Sequence, residues 1–452
     1  MLLHAALTHA TRYLQSLPER HVGPRATHDE LRQALYVPLS DQGEPAGDVL
    51  DALVQGTERG LIGTAGPRYF GFVIGGSLPV ALAADWMTSA WDQNAGIFVT
   101  SPANSICEEI AREWLLDLFD LPRTAGLGFV TGGQMANFTC LAAARHALLR
   151  RAGWNVEENG LYGAPRVNIV AGAEAHITIY AALRMLGFGT RGVITVPADE
   201  QGRMRADLLR TTLENLSGPT IVCAQAGNVN SGACDPLRAI ANIVHEHDGW
   251  LHVDGAFGLW GRATESKRAL LDGADLADSW AVDSHKWLNV PYDNGIAIVR
   301  DAAAHRASMT TTAEYLEQSS GVERDPFDFA PEFSRRARGF TVYAALRHLG
   351  RHGIAGMIDA ACDRAAQFAR ILGAHPRIKI LNDVVLNQVL VRFDDDDAAT
   401  REVIVRVQRE GTCWMAGTTW HGVAAMRISV SNWSTSEEDV EKSAAAIVRC
   451  FS

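Results

Sequence analysis

Seven short apolar runs, mostly separated by stretches with helical spacing, constrain this chain more than any other feature. They are GLGFV (126–130), VNIVA (167–171), GVITV (192–196), TIVCA (220–224), WLHVD (250–254), SWAVD (279–283) and GIAIV (295–299). A strand with one wet face alternates polar and apolar residues, whereas a continuous apolar run suits a strand buried on both faces. Interleaved with helices, such runs predict an α/β region built on a mostly parallel sheet. Ligands of these sheets bind in the loops beyond the carboxyl ends of the strands. Reactive side chains are therefore expected there.

The texture differs on either side. Residues 1–90 read as helices joined by polar linkers, with DQGEPAGD (41–48) as a loop and the glycine- and aromatic-rich GTAGPRYFGFVIGGSLP at 63–79. From Trp91 to about Asp120 a helix is expected, because Ile106, Ile110, Trp114, Leu115 and Leu118 recur at three and four residues. Beyond about 330, a long helical stretch (336–373) precedes VLNQVLVRF (385–393), a helix at 399–410, AMRISVSN (425–432) and a closing helix. DDDD (394–397) reads as a charged, solvated turn. The expected organisation is an N-terminal helical segment (1–90), a large α/β domain (91–330) and a smaller α+β domain (331–452).

Bulk properties remove several function classes. The 452 residues, 47% hydrophobic and 21% charged, are an ordinary globular mixture able to bury a large core. A net charge of −11 argues against general nucleic-acid binding, which needs a basic face. No segment approaches the roughly 20 apolar residues of a membrane span, and MLLHAALTHATRYLQSLPER lacks the cationic start of a signal peptide. The seven cysteines follow no CxxC or CxxH spacing, which favours reduced thiols over disulfides or zinc. A cytoplasmic protein without nucleic-acid, membrane or metal partners is expected.

Four segments carry candidate chemistry. In WAVDSHKWLNVPYDNG (280–295), Lys286 follows a buried strand among apolar neighbours. Such a setting disfavours the ammonium form and makes an amine a carbonyl nucleophile, although an ordinary lysine snorkels to the surface. In WLHVDGAFG (250–258), Asp254 closes a strand and suits a metal, a ribose hydroxyl or a protonated ring nitrogen. His252 shares its face, but no third metal ligand is evident. In GLGFVTGGQMANFTCLAAARHAL (126–148), a glycine pair joins strand to helix, and the first amides of a helix form an anion site. It matches neither the P-loop nor GxGxxG. In AGAEAHITIYAALRMLGFG (171–189), His176 opens a helix, where a histidine alone is more often a polar terminus than a catalyst. Together, an anion cradle, an aldehyde-seeking lysine, a ring-nitrogen acid and a flat ring meet the needs of pyridoxal 5′-phosphate.

The order TGGQMANFTCLAAAR, AEAHITIYAALRMLGFGT, GNVNSGACDPLRAIANIVHEHDGWLHVDGAFG and DSHKWLNV resembles the group II pyridoxal-phosphate-dependent amino-acid decarboxylases. The likeness runs from PRYFGF (67–72) to RISVSN. It implies a type I, aspartate aminotransferase-like fold and a homodimer with shared active sites. It implies decarboxylation of an L-amino acid, with other outcomes on the same fold (oxidative aldehyde formation, carbon–carbon lysis, transamination) as alternatives. Lys286 would be the Schiff-base lysine, Asp254 the partner of the pyridine nitrogen, Ala256 the contact on one ring face and His176 on the other. Gly133, Gln134 and His285 would hold the phosphate, and Asn228, where relatives often carry threonine, would lie near the ring hydroxyl. Ile97 and Phe98 would come from the partner subunit, and Phe70, Phe72, Ile74, Gly75 and Trp91 would line an apolar substrate pocket. Arg427 would meet a substrate carboxylate or brace the small domain. The best-studied relatives carry a proton-donating tyrosine on a mobile loop. Here that alignment puts Pro326 and Phe327 near the tyrosine position, with Tyr315 about a dozen residues upstream. Protonation would then fall to His176 or water.

Overall fold

The computed structural model describes residues 1–311 and 323–452. In chain order the helices are α1 (Leu2–Ser16), α2 (His28–Leu35), α3 (Ala46–Thr57), α4 (Pro79–Trp91), α5 (Pro102–Leu118), α6 (Gly133–Arg151), α7 (Val156–Asn159) and α8 (Ile177–Met185). They continue with α9 (Ala206–Glu214), α10 (Leu237–Glu246), α11 (Glu265–Arg268), α12 (Ser284–Trp287), α13 (Ala302–Met309), α14 (Arg338–Gly373), α15 (Asp397–Glu410) and α16 (Glu437–Phe451). The strands are β1 (Gly126–Val130), β2 (Asn168–Gly172), β3 (Val193–Val196), β4 (Thr220–Gln225), β5 (Trp250–Asp254), β6 (Ser279–Asp283) and β7 (Gly295–Val299). Four more follow: β8 (Ile378–Ile380), β9 (Gln388–Phe393), β10 (Ala416–Trp420) and β11 (Val423–Ser429).

Two compact units emerge, one of residues 77–363 and 382–388, the other of residues 1–76, 364–381 and 389–452. The first holds a seven-stranded sheet in the order β1-β7-β6-β5-β4-β2-β3. Its β2–β3, β2–β4, β4–β5 and β5–β6 pairs are parallel, and β7 runs antiparallel to both β6 and β1. Six strands therefore share one direction and only β7 opposes them. All seven apolar runs are strands, and every residue of β1, β2 and β4 to β7 is buried, which is why these runs do not alternate. The helix expected from Trp91 is interrupted. Asp92 takes a left-handed conformation after α4, and α5 starts afresh at Pro102, a residue suited to a first helical turn.

In the other unit, β10-β11-β9-β8 form a four-stranded sheet. The sequence reading missed β8 and β10, of which β8 has three residues and β10 carries AGTTW, with no apolar run to mark it. Asp394 and Asp395 take left-handed conformations, Asp396 caps α15, and Arg377, Lys379 and Arg392 pair with this acidic turn. Phe70 lies fully buried with its ring edge-on to Phe368, so it belongs to the core of this unit. Phe72 is 58% exposed and stacks on Trp414, which also stacks on Tyr69. Gly75 is buried and Ile74 partly so, and Arg427 is buried on β11. Among the described residues no helix is long and apolar enough to cross a membrane.

Candidate active site

Because six strands run the same way, their carboxyl ends form one edge of the sheet. Asp254 ends β5, opposite Ala281, and Asp283 ends the neighbouring β6 two residues further along. Beyond β6, α12 carries His285 and Lys286. The Lys286 ammonium lies 2.8 Å from Asp283 Oδ2. Its side chain is 19% exposed and that of Asp283 only 3%, so this is a largely desolvated ion pair. Asp283 Oδ1 is buried without a hydrogen-bond partner, with His285 Nε2 beside it at 3.4 Å.

His285 is held tightly. Its Nδ1 accepts from the Asn294 amide at 3.1 Å, and its ring stacks on Tyr292. Burial lowers its pKa, against a smaller raising effect from Asp283, so the imidazole is neutral with the proton on Nε2.

The β1–α6 turn reaches the same edge. Gly132 precedes α6 and no side chain caps that helix, so the first amides of α6 face the loop. Two glycines permit close approach here. A Cβ on Gly133 would stand 2.7 Å from Asp283 Oδ2, and one on Gly295 would stand 2.5 Å from the Gly132 backbone. Gly133 and Gln134 thus sit beside the Lys286–Asp283 pair, while the Gln134 side chain turns outward toward Met185.

On the other side of Asp254 the carboxylate is fixed at both oxygens. Oδ1 accepts from the Ala256 amide at 3.2 Å, and Oδ2 accepts from Asn137 Nδ2 at 3.1 Å. His176 caps α8 through its ring, with Thr178 as the neighbour. Beyond β4, Asn228 is fully buried. Its Oδ1 accepts from the amides of Asn230 and Ser231, while Nδ2 is buried with no partner. The remaining candidates make other contacts. Trp91, half exposed at the end of α4, packs edge-on to Phe340. Ile97 is 7% exposed, and the Phe98 amide donates to Asp325 at 2.7 Å. Pro326 and Phe327 are buried, and Tyr315 lies outside the described residues.

Sequence reasoning missed Asp283 and Asn137. Asp283 ends SWAVD just as Asp254 ends WLHVD, a parallel that could have drawn attention to it. Asn137 is a polar residue buried in the apolar part of α6, one turn beyond Gly133. Among the described residues no cluster of three histidine, cysteine or carboxylate side chains could hold a metal ion.

The pyridoxal-dependent decarboxylase conserved domain matches residues 29–394. Tryptophan decarboxylase 1 of Oryza sativa subsp. japonica is 28% identical over 480 residues, covering 99% of this chain and 92% of that one. The 4-hydroxyphenylacetaldehyde synthase of Rhodiola rosea is 24% identical over 450 residues, covering 95% and 90%. Among solved structures, Oryza sativa TDC with PLP and tryptamine superposes with a TM-score of 0.92 at 26% identity, covering 100% of this chain and 96% of that one.

The residues present fit pyridoxal 5′-phosphate. Uncapped α6 amides suit a phosphate, and side chains at Gly133 and Gly295 would close the approach to them. The partnerless Asn228 amide is a buried donor that a ring hydroxyl would satisfy. Asp254 presents a carboxylate fixed by two donors, and Lys286 supplies the amine. The chain belongs to the pyridoxal-dependent decarboxylases, carboxy-lyases of the type I fold that work with pyridoxal 5′-phosphate.

Proposed function

We propose that this enzyme decarboxylates an L-amino acid with an aromatic or otherwise apolar side chain, releasing the amine and CO2. The observation that carries the reading is the Lys286–Asp283 pair at the strand edge, one strand from the doubly held Asp254. When bound, pyridoxal 5′-phosphate supplies an electron sink for the pair left on Cα after CO2 departs. Lys286 would hold the cofactor aldehyde and give it up to the substrate amine. Asp283 would take up the charge of the Lys286 ammonium whenever the lysine is released. Asp254 would keep a proton on the ring nitrogen, Ala256 and His176 would bound the ring faces, and Asn228 would donate to the ring hydroxyl. Gly133, Gln134 and His285 would hold the phosphate.

The apolar preference is supported by the half-exposed rings of Phe72 and Trp91, and by likeness to a tryptophan decarboxylase. Gly75, Ile97 and Phe98 complete the proposed substrate residues. A homodimer is supported by α1, α2 and α3, which bury no residue and expose Leu2, Leu3, Leu7, Leu35, Val49 and Leu53. Seven unpaired cysteines suit a cytoplasmic location.

One observation favours a second reading. Pro326 and Phe327, aligned near the proton-donating tyrosine of relatives, carry no hydroxyl, and one relative is an aldehyde synthase. Aldehyde formation with consumption of O2 is therefore the competing outcome. A panel of L-amino acids followed together for CO2, hydrogen peroxide and ammonia separates them. Stoichiometric CO2 and amine support decarboxylation, whereas peroxide and ammonia equal to CO2 refute it. Lys286→Ala should abolish turnover and remove the borohydride-fixed label. Asp254→Ala should weaken cofactor retention and cut the rate, and near-normal activity would refute its assignment.

A further inference from the structure

Asp254 and His176 belong to one continuous hydrogen-bond network whose buried centre is Asn137. Trp250 Nε1 donates to Ser279 Oγ at 3.0 Å, and Ser279 Oγ meets His252 Nδ1 at 2.9 Å. His252 Nε2 meets Asn137 Oδ1 at 2.8 Å. Asn137 Nδ2 then donates twice, to Asp254 Oδ2 and to Thr178 Oγ1, each at 3.1 Å. Thr178 Oγ1 meets His176 Nδ1 at 2.8 Å. Asn137, His252 and Ser279 are fully buried, so water is shut out of the bonds among them, while Thr178 and His176 are partly exposed.

The Asp254 carboxylate, the Thr178 amide and a neutral His252 ring fix the direction of the links. An indole N–H only donates and a carboxylate only accepts. Asn137 must therefore turn its amide nitrogen to Asp254 and its carbonyl to His252. His252 Nε2 must carry the hydrogen, which leaves Nδ1 to accept from the Ser279 hydroxyl. On the other branch, Thr178 Oγ1 accepts from Asn137 and gives its own hydrogen to His176 Nδ1. The Thr178 backbone amide, also only a donor, points at the same Nδ1 from 3.4 Å. Burial drawing His252 down to about 4 agrees with a neutral ring there.

We propose that Asn137 is a positioning residue that sets both the Asp254 carboxylate and the His176 ring, and locks His252 and His176 as neutral Nε2–H tautomers. This rests on the reading of Asp254 and His176 as partners of the cofactor ring. Held so, the His176 ring carries its hydrogen on Nε2. Adding a proton at Nδ1 would lose the bond from the Thr178 amide and force the Thr178 hydroxyl to turn, so this arrangement holds the ring neutral. The single amide also couples the two sides of the ring: a change at Asn137 reaches the ring-nitrogen acid and the stacked histidine together.

The test is the ring-nitrogen spectrum of the 15N-histidine-labelled holoenzyme, with signals assigned by His252→Gln and His176→Gln. A cofactor dissociation constant is measured alongside. Unaltered protein should show pyrrole-type Nε2 and pyridine-type Nδ1 for both histidines. Asn137→Ala should mix the His176 tautomers and weaken cofactor binding by roughly 10- to 100-fold, the size expected for one lost hydrogen bond to a charged group. Thr178→Val, at a partly exposed site, cuts one branch only. It should shift the His176 Nδ1 signal and leave the dissociation constant within about twofold. If Asn137→Ala fails to fold, Thr178→Val decides alone. His176 protonated at Nδ1 in the unaltered protein, or its signals unmoved in both variants, would overturn the proposal. Failure of the cofactor reading looks different: the unaltered chain would bind no pyridoxal 5′-phosphate, while its ring-nitrogen signals would still report the network.

Discussion

Gly133→Ala tests whether the α6 turn is a cofactor cradle. The added Cβ would stand 2.7 Å from Asp283 Oδ2 and 3.3 Å from its Cγ. That is about 0.7 Å short of an ordinary contact, on the steep side of the repulsive wall. Asp283 has little room to yield, because it is buried and its Oδ2 is bonded to Lys286 at 2.8 Å. Either α6 retreats from the strand edge or the ion pair opens. Overpacking of this kind costs about 1–3 kcal/mol, and replacing glycine in a helix returns at most about 1 kcal/mol. A net destabilisation of about 1–2 kcal/mol is expected in urea unfolding, with cofactor affinity down roughly tenfold for each 1.4 kcal/mol lost from the cradle. Gly356→Ala is the control: it lies exposed in α14 with nothing within 4 Å of its added Cβ. It should stabilise by about 0.5–1 kcal/mol and leave cofactor binding alone. Fluorescence titration with pyridoxal 5′-phosphate reads the affinities. Equal affinity in Gly133→Ala and the unaltered protein would refute the cradle.

Two more predictions concern what holds this edge in place. Glu108 and Arg335 are both fully buried and meet at 2.9 Å, and Arg335 also donates to the carbonyl of Ala95. Glu108→Gln leaves the charge of Arg335 uncompensated and should cost about 3–5 kcal/mol in urea unfolding, whereas a loss under about 1 kcal/mol would contradict that account. His252 is neutral when folded and takes up a proton on unfolding below its ordinary pKa. Its contribution to stability is therefore complete above pH 6.5 and drains away as pH falls toward about 4, by about 3 kcal/mol in all. Unfolding free energies measured from pH 7 to 4 should fall more steeply for the unaltered protein than for His252→Gln, and equal slopes would count against the assignment.

How much of this was legible in the sequence depends on the distance over which each feature is specified. The sheet was plain, because burial on both faces writes itself into consecutive residues, and all seven runs became strands. The placement of Lys286, Asp254 and His176 followed from the same logic, since strand ends in a parallel sheet converge whatever lies between them. The edge strand β3 was readable despite its partial exposure, whereas β10 was not, since AGTTW carries no continuous apolar run. The polar wiring was invisible for a different reason. Asn137 meets Asp254 across 117 residues and His252 across 115, and Ser279 meets His252 across 27. Each looks unremarkable in its own segment: an asparagine in a helix, a histidine in a strand, a serine at a strand start. His252 even suggested a metal ligand beside Asp254, because on a strand the two share a face. What resolves the ambiguity is the partner at Nε2. An amide carbonyl there requires a hydrogen on that nitrogen and leaves no lone pair for a metal. A histidine read from sequence alone keeps both nitrogens open to interpretation. In the fold the donors and acceptors around it leave only one assignment that satisfies every buried group, and that assignment makes His252 a support for Asp254 rather than a ligand beside it.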